Sequence, residues 1–225
     1  MRIDDYHRIA LSTAIYEGQG RNPTYPALGL AGEAAEFGEK MLDGAAPEQL
    51  AKEAGDVLWY IANMAHEMRS DLRDVAAAVA PGCEEFDDLQ QAAARLPDKS
   101  AREALAEVLR RDGVLPEMLG RYQTSVIIAQ EILAGSIGRL RAALRLAGRA
   151  GSVCERVKKL YRDDGGELTE ERRGLVMAGL SQTLAALVGA SLACGLEMNR
   201  VAELNTEKLL DRKKQGHLRG DGDDR

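Results

Sequence analysis

From Leu175 to Leu196 the chain carries no charged residue. A helix over that stretch is apolar on nearly every side, so it must lie either in lipid or inside a bundle of other helices. Ser181, Gln182, Thr183, Ser191 and three glycines interrupt it, and the aromatic flanks of a membrane span are missing. It therefore reads as a buried core helix. A second stretch makes the same demand: Val57 to Ala65 runs Val-Leu-Trp-Tyr-Ile-Ala-Asn-Met-Ala, apolar almost all round. Strand-type alternation is absent, aromatics are only 4%, and Ala, Leu and Gly abound. The expected fold class is all-α with a four-helix-bundle-like core.

The two apolar helices are related by a faint internal repeat. A shift of 116 residues brings Tyr6 onto Tyr122, Ala27-Leu28 onto Ala143-Leu144, and Leu30-Ala31-Gly32 onto Leu146-Ala147-Gly148. A shift of 126 then brings Asp71-Leu72-Arg73-Asp74-Val75-Ala76 onto Glu197-Met198-Asn199-Arg200-Val201-Ala202. The second copy thus has the longer internal loop, around the turn-forming Asp163-Asp164-Gly165-Gly166. Helices are expected near 4–17, 27–42 and 47–69 in the first copy, and near 117–134, 138–161, 169–195 and 197–213 in the second. The organisation read from this is a repeat over 1–80, a helical linker over 81–116 and a degenerate repeat over 117–225. The linker opens at Pro81-Gly82 and contains two short polar helices, one with the capping-box signature Ser100-Ala-Arg-Glu103. The two copies are expected to pack as an intramolecular pseudo-dimer.

Chemistry enters with two acidic pairs, Glu33-Ala-Ala-Glu36 and Glu53-Ala-Gly-Asp56. Residues three apart share a helix face, so each pair aims two carboxylates the same way. Taken alone, Glu33 and Glu36 read as a solvated face shared with Lys40. The second pair differs, because Glu53, Asp56, Tyr60 and Asn63 form one narrow stripe entering the apolar helix. Buried acids are costly unless they are paired or hold a metal. Two carboxylates about 5 Å apart repel by roughly 3 kcal/mol at an effective dielectric near 20. Hard oxygen ligands of this kind select Mg²⁺, with Mn²⁺ as a substitute. The repeat provides an internal control: Glu33 and Glu36 fall on Arg149 and Ser152, and Glu53 and Asp56 fall on Gly179 and Gln182. All four acids are missing together from the second copy while its apolar frame is kept, which argues for one shared role.

Other classes are disfavoured. A net charge of −6 and a basic cluster no longer than Arg212-Lys213-Lys214 argue against nucleic acid as partner. Cys83, Cys154 and Cys194 form no Cys-x-x-Cys, and Met1-Arg2-Ile3-Asp4-Asp5 does not open a signal peptide. A reduced, cytoplasmic chain is expected. A di-iron bundle needs Glu-x-x-His pairs, and His66 follows Asn63 instead.

The segments Gly29-Leu30-Ala31-Gly32-Glu33-Ala34-Ala35-Glu36 and Glu53-Ala54-Gly55-Asp56-Val57-Leu58-Trp59-Tyr60, with Asn63 further on, resemble the MazG-like nucleotide pyrophosphohydrolases. The C-terminal Asn205-Thr-Glu-Lys208-Leu, Arg212 and Gly220-Asp-Gly-Asp-Asp-Arg225 are similar to the tail of short, phage-type members. The resemblance implies an all-α, Mg²⁺-dependent enzyme that hydrolyses a (d)NTP to the monophosphate and pyrophosphate, serving nucleotide-pool housekeeping. It implies Glu33, Glu36, Glu53 and Asp56 as metal ligands, one glutamate being the alternative general base. Lys208, Arg212 and Arg225 become candidates for phosphate contact, against the plainer reading of a solvated helix end. Lys40, Asn63, Trp59 and Tyr60 complete the expected substrate-binding set, and Asn22 and Tyr25 are further candidates for the base. Family members work as homodimers or tetramers, so the duplication reads as a fused dimer with one live site, which could pair again as a homodimer. A phosphoribosyl-ATP pyrophosphohydrolase is disfavoured by the layout and tail. The alternative from another class is a non-catalytic nucleotide-sensing or scaffold protein.

Overall fold

The computed structural model describes residues 1–79, 82, 84–94 and 139–218. The expected helix near 117–134, the capping box at Ser100, Cys83 and Arg225 lie outside these residues. Eight helices are found among the described residues: α1 (Ile3–Ser12), α2 (Thr24–Leu42), α3 (Pro47–Glu67), α4 (Leu72–Val79), α5 (Phe86–Ala94), α6 (Arg139–Asp163), α7 (Glu170–Ala193) and α8 (Met198–Gln215). They contain no strand, only an isolated bridge between Arg2 and Glu85. The fold is all-α.

The helix boundaries follow local chemistry. Pro47 occupies the first turn of α3, where its missing N–H costs nothing, and the Gln49 side chain accepts from the Ala46 N–H. Thr169 caps α7 by accepting from the Arg172 N–H at 3.1 Å. Gly216 ends α8 in the left-handed conformation at φ 73°, which a side chain would strain. The expected α1 over 4–17 stops at Ser12 instead. Thr13 turns its hydroxyl back onto the Ala10 carbonyl at 2.9 Å, and Gly18 and Gly20 carry the chain through positive φ.

The core forms as the apolar stretches demanded. α2 packs on α3 and on α6, α6 packs on α7, and α3 packs on α7. The arrangement is reciprocal at its edges, with α8 lying on α3 and α4 lying on α7. Val57, Leu58, Ile61, Ala62, Met64 and Ala65 of α3 are fully buried, as are Leu180, Leu184, Leu187 and Val188 of α7. Each large aliphatic side chain so buried stabilises the fold by about 1.5–3 kcal/mol. α7 is long and apolar enough to cross a membrane, yet 67% of its most apolar window is buried within the protein. Gly38 lets α2 approach α6 closely, since a Cβ there would stand 3.2 Å from the Ala143 Cβ. These contacts place one face of α2, α3 and α8 around a common point.

Candidate functional site

That point is acidic. Glu33 comes from α2, and Glu53 and Asp56 come from one face of α3. One carboxylate oxygen from each lies within 4.8 Å of the others. At that separation two charges repel by about 3.5 kcal/mol at an effective dielectric near 20. The cost is visible on Glu33, whose carboxyl is pushed up to about 7. Burial is the main cause, followed by the charges of Asp56, Glu36 and Glu53, with Lys208 opposing them.

Two lysines offset the negative charge. Lys40 of α2 pairs with Glu53, which is only 1% exposed, and lies 3.3 Å from Glu36. Lys208 of α8 reaches Asp56 at 2.5 Å. Glu36 itself is exposed and stands outside the acidic triad, on the Lys40 side. Half of the first pair is therefore wet, as its helix face suggested, and half is turned inward.

A buried polar chain holds Asp56 from behind. The Tyr6 hydroxyl donates to Asn205 Oδ1 at 2.8 Å, and Asn205 Nδ2 donates to Asp56 Oδ1 at 3.0 Å. Tyr6 is fully buried and stays a neutral donor, because burial and then the Asp56 charge push its pKa well up. Gly55 makes this junction possible, since a Cβ there would lie 2.6 Å from the Asn205 Cβ. The small residue in Glu53-Ala-Gly-Asp56 is thus the seat of α8. Arg212 follows Lys208 by one turn and is half-buried.

Further along the same stripe, Asn63 is fully buried; its Nδ2 donates to the Trp59 carbonyl, while its Oδ1 has no hydrogen-bond partner. Trp59 donates its indole N–H to the Thr13 hydroxyl at 3.1 Å and meets Tyr60 edge-on. Tyr60 lies over Gly29, where a Cβ would be 2.1 Å from its ring. Tyr25 stacks on Tyr16 at 4.5 Å and leans toward Tyr60 at 6.3 Å, forming an aromatic wall beside Glu33. Tyr60 feels the charges of both Glu33 and Asp56.

One residue that organises this wall was missed by sequence reasoning. Glu67 is 3% exposed and accepts from the Tyr16 hydroxyl and from the Gly20 and Asn22 backbone N–H groups, each at 2.7 Å. It clamps the loop that carries Asn22 and Tyr25. A signal existed: Glu67 continues the stripe of Glu53, Asp56, Tyr60 and Asn63 by one more turn. Asn205 stood in the family-like tail, but its tie to Asp56, and the part of Tyr6 behind it, carried no signal, because these contacts span long sequence separations.

A family model described as the MazG nucleotide pyrophosphohydrolase domain matches residues 22–81. The matched segment includes the acidic triad, Asn63 and Glu67 but not Tyr6, Asn205 or Lys208. A "Gene 37 protein" of Mycobacterium phage L5 is 32% identical over 80 residues, which are 36% of this chain and 70% of that protein. No solved structure matches the chain.

Proposed function

The chain belongs to the MazG nucleotide pyrophosphohydrolase family, and from that premise we propose that it is a Mg²⁺-dependent hydrolase of (d)NTPs, releasing the monophosphate and pyrophosphate. The observation that carries this reading is the convergence of Glu33, Glu53 and Asp56 within 4.8 Å on two packed helices. Three carboxylates at this spacing, flanked by ammonium groups, match the oxygen donor set of a hard divalent cation. They would hold Mg²⁺, or Mn²⁺ in its place. When bound, Mg²⁺ supplies neutralisation of phosphate charge and a water activated for attack on the α-phosphorus.

The chain's own residues do the rest. Lys40 and Lys208 offset the charge of Glu53 and Asp56 and would present ammonium groups to phosphate oxygens. Arg212 extends that basic edge with a guanidinium fork suited to phosphate. Tyr6 and Asn205 fix the orientation of the Asp56 carboxylate. Asn63 offers a buried acceptor without a partner to a donor on the nucleotide, and Tyr25, Tyr60 and Trp59 provide flat apolar surface for the base. Glu36 supports the site through Lys40. The reciprocal packing of α2 and α3 against α6 and α7 supports a fused pair of repeats, in which the C-terminal half contributes Lys208. Cytoplasmic nucleotide-pool housekeeping follows as the setting.

A second reading has its own observation. The pairs Lys40–Glu53 and Lys208–Asp56 already compensate two of the three acids, as a non-catalytic scaffold or nucleotide sensor would. Pyrophosphate release from a panel of NTPs and dNTPs with Mg²⁺, run beside EDTA and beside Glu53→Gln, separates the two. Release from at least one nucleotide, lost in EDTA and in the variant, supports the enzyme. Absence of release from every nucleotide overturns it in favour of the scaffold.

A further inference from the structure

We infer that Arg149 and Arg156 of α6, with Gln182 and Gly179 of α7, form a second site that binds a diphosphate group directly, without a metal. Positions 149 and 156 are two turns apart on one helix face, with Ser152 between them. Arg149 Nη1 donates to Gln182 Oε1 at 2.9 Å, which holds one guanidinium over α7. The Arg156 guanidinium lies against Gly179: a Cβ there would stand 2.2 Å from Nη1 and 3.2 Å from Cζ. That Nη1 is buried and has no hydrogen-bond partner. Among the described residues no carboxylate pairs with either guanidinium. Burial, then the charge of Arg149, pushes the Arg156 pKa down.

Two arginines held near each other, half-buried and without an acid, are the electrostatic opposite of the Glu33, Glu53 and Asp56 triad. Under the repeat read from the sequence, the inversion runs residue by residue. Under the shift that aligns α2 with α6, Arg149 takes the place of Glu33 and Arg156 that of Lys40. Under the shift that aligns α3 with α7, Gly179 replaces Glu53 and Gln182 replaces Asp56. The contacts repeat as well: Lys40 meets Glu53 in one half, and Arg156 meets Gly179 in the other. A cradle that needed a cation has become one that needs an anion. Guanidinium forks match phosphate oxygens in pairs, and two forks on one face suit two linked phosphates better than a single small anion. The diphosphate could belong to free pyrophosphate or to a nucleoside triphosphate. This inference does not rest on the proposed hydrolysis.

The test is calorimetric titration of the full chain in EDTA, where a metal-dependent site is silent, with pyrophosphate in one arm and ATP in the other. The expected result is binding to the wild type that survives in Glu53→Gln. Arg149→Gln and Arg156→Gln should each weaken it about tenfold or more, since each removes charge-assisted hydrogen bonds. Arg156→Lys should recover part of the loss, and circular dichroism melting verifies that each variant is folded. Binding in both arms, with one competing for the other, assigns the diphosphate group as the shared ligand. Binding of ATP alone that the arginine variants lose assigns the site to nucleotides. Silence in both arms overturns the proposal. So does binding that both arginine variants retain, which would move the anion to Lys208 and Arg212.

Discussion

Replacing Gly55 by Ala tests whether the seat of α8 is what the geometry says. By helix propensity alone the substitution is favourable, because Ala in a helix interior is better than Gly by about 1 kcal/mol. The tertiary structure reverses the sign. The new Cβ would lie 2.6 Å from the Asn205 Cβ and 2.9 Å from its Nδ2, so α8 must move away from α3. That movement breaks the Asn205–Asp56 hydrogen bond, which as a bond to a charged group contributes about 1.5–3 kcal/mol. It also takes the shorter of two acceptors from the buried Tyr6 hydroxyl, leaving the Gly55 carbonyl at 3.3 Å, at a further cost of about 0.5–1.5 kcal/mol. Overpacking adds about 1–3 kcal/mol where the helices do not fully relax. After the propensity gain is subtracted, the expected loss is about 3 kcal/mol or more. For a chain of this size that is a fall in Tm of roughly 6–12 °C. Urea unfolding followed by circular dichroism reads it, with Gly148→Ala on α6 as control. Nothing stands within 4 Å of a Cβ at Gly148, so that variant should gain up to about 1 kcal/mol. A Gly55→Ala protein as stable as the wild type, or more so, would refute the argument that α8 is seated through this glycine.

Other outcomes follow from the site. Glu67→Ala should cost about 2–3 kcal/mol, because the buried Tyr16 hydroxyl and two part-buried backbone N–H groups lose their acceptor. Hydrogen exchange should show the Gly20 and Asn22 amides losing protection before the rest of the fold. In metal-free protein the Glu33 carboxyl is pushed up to about 7, above its ordinary 4.5, so the folded state binds more protons across that interval. The associated stability is present in full below pH 4.5 and is lost as pH rises through 7. Allowing for partial exposure, Glu33→Gln should remove about 1–2 kcal/mol of this pH dependence in EDTA titrations by urea; an unchanged slope would count against the cluster. Lys208→Gln should weaken pyrophosphate release about tenfold or more through loss of the Asp56 pair, measured as kcat/KM.

The apolar periods of α2, α3, α6 and α7 dictated where the helices lie, because burying a helix on most sides leaves no other pattern of residues. The same periods placed Glu53 and Asp56 on an inward stripe, which is why a cluster of carboxylates was legible before any coordinates, though as four acids with Glu36 among them. Glu36 could not be separated from Glu33 in this way, since a residue three places along shares the face and only packing decides which carboxylate turns inward. The end of α1 at Ser12 also escaped the sequence, because the loop after it is held by Glu67 from a helix more than forty residues away. The tie of Lys208 and Asn205 to Asp56 is of the same kind: it spans the chain from α3 to α8 and depends on a missing Cβ at Gly55. Local chemistry alone therefore determined the helices and the demand for a counter-charge. Which groups answer that demand, Lys40 for Glu53 and Lys208 for Asp56, was decided only when distant helices were brought together.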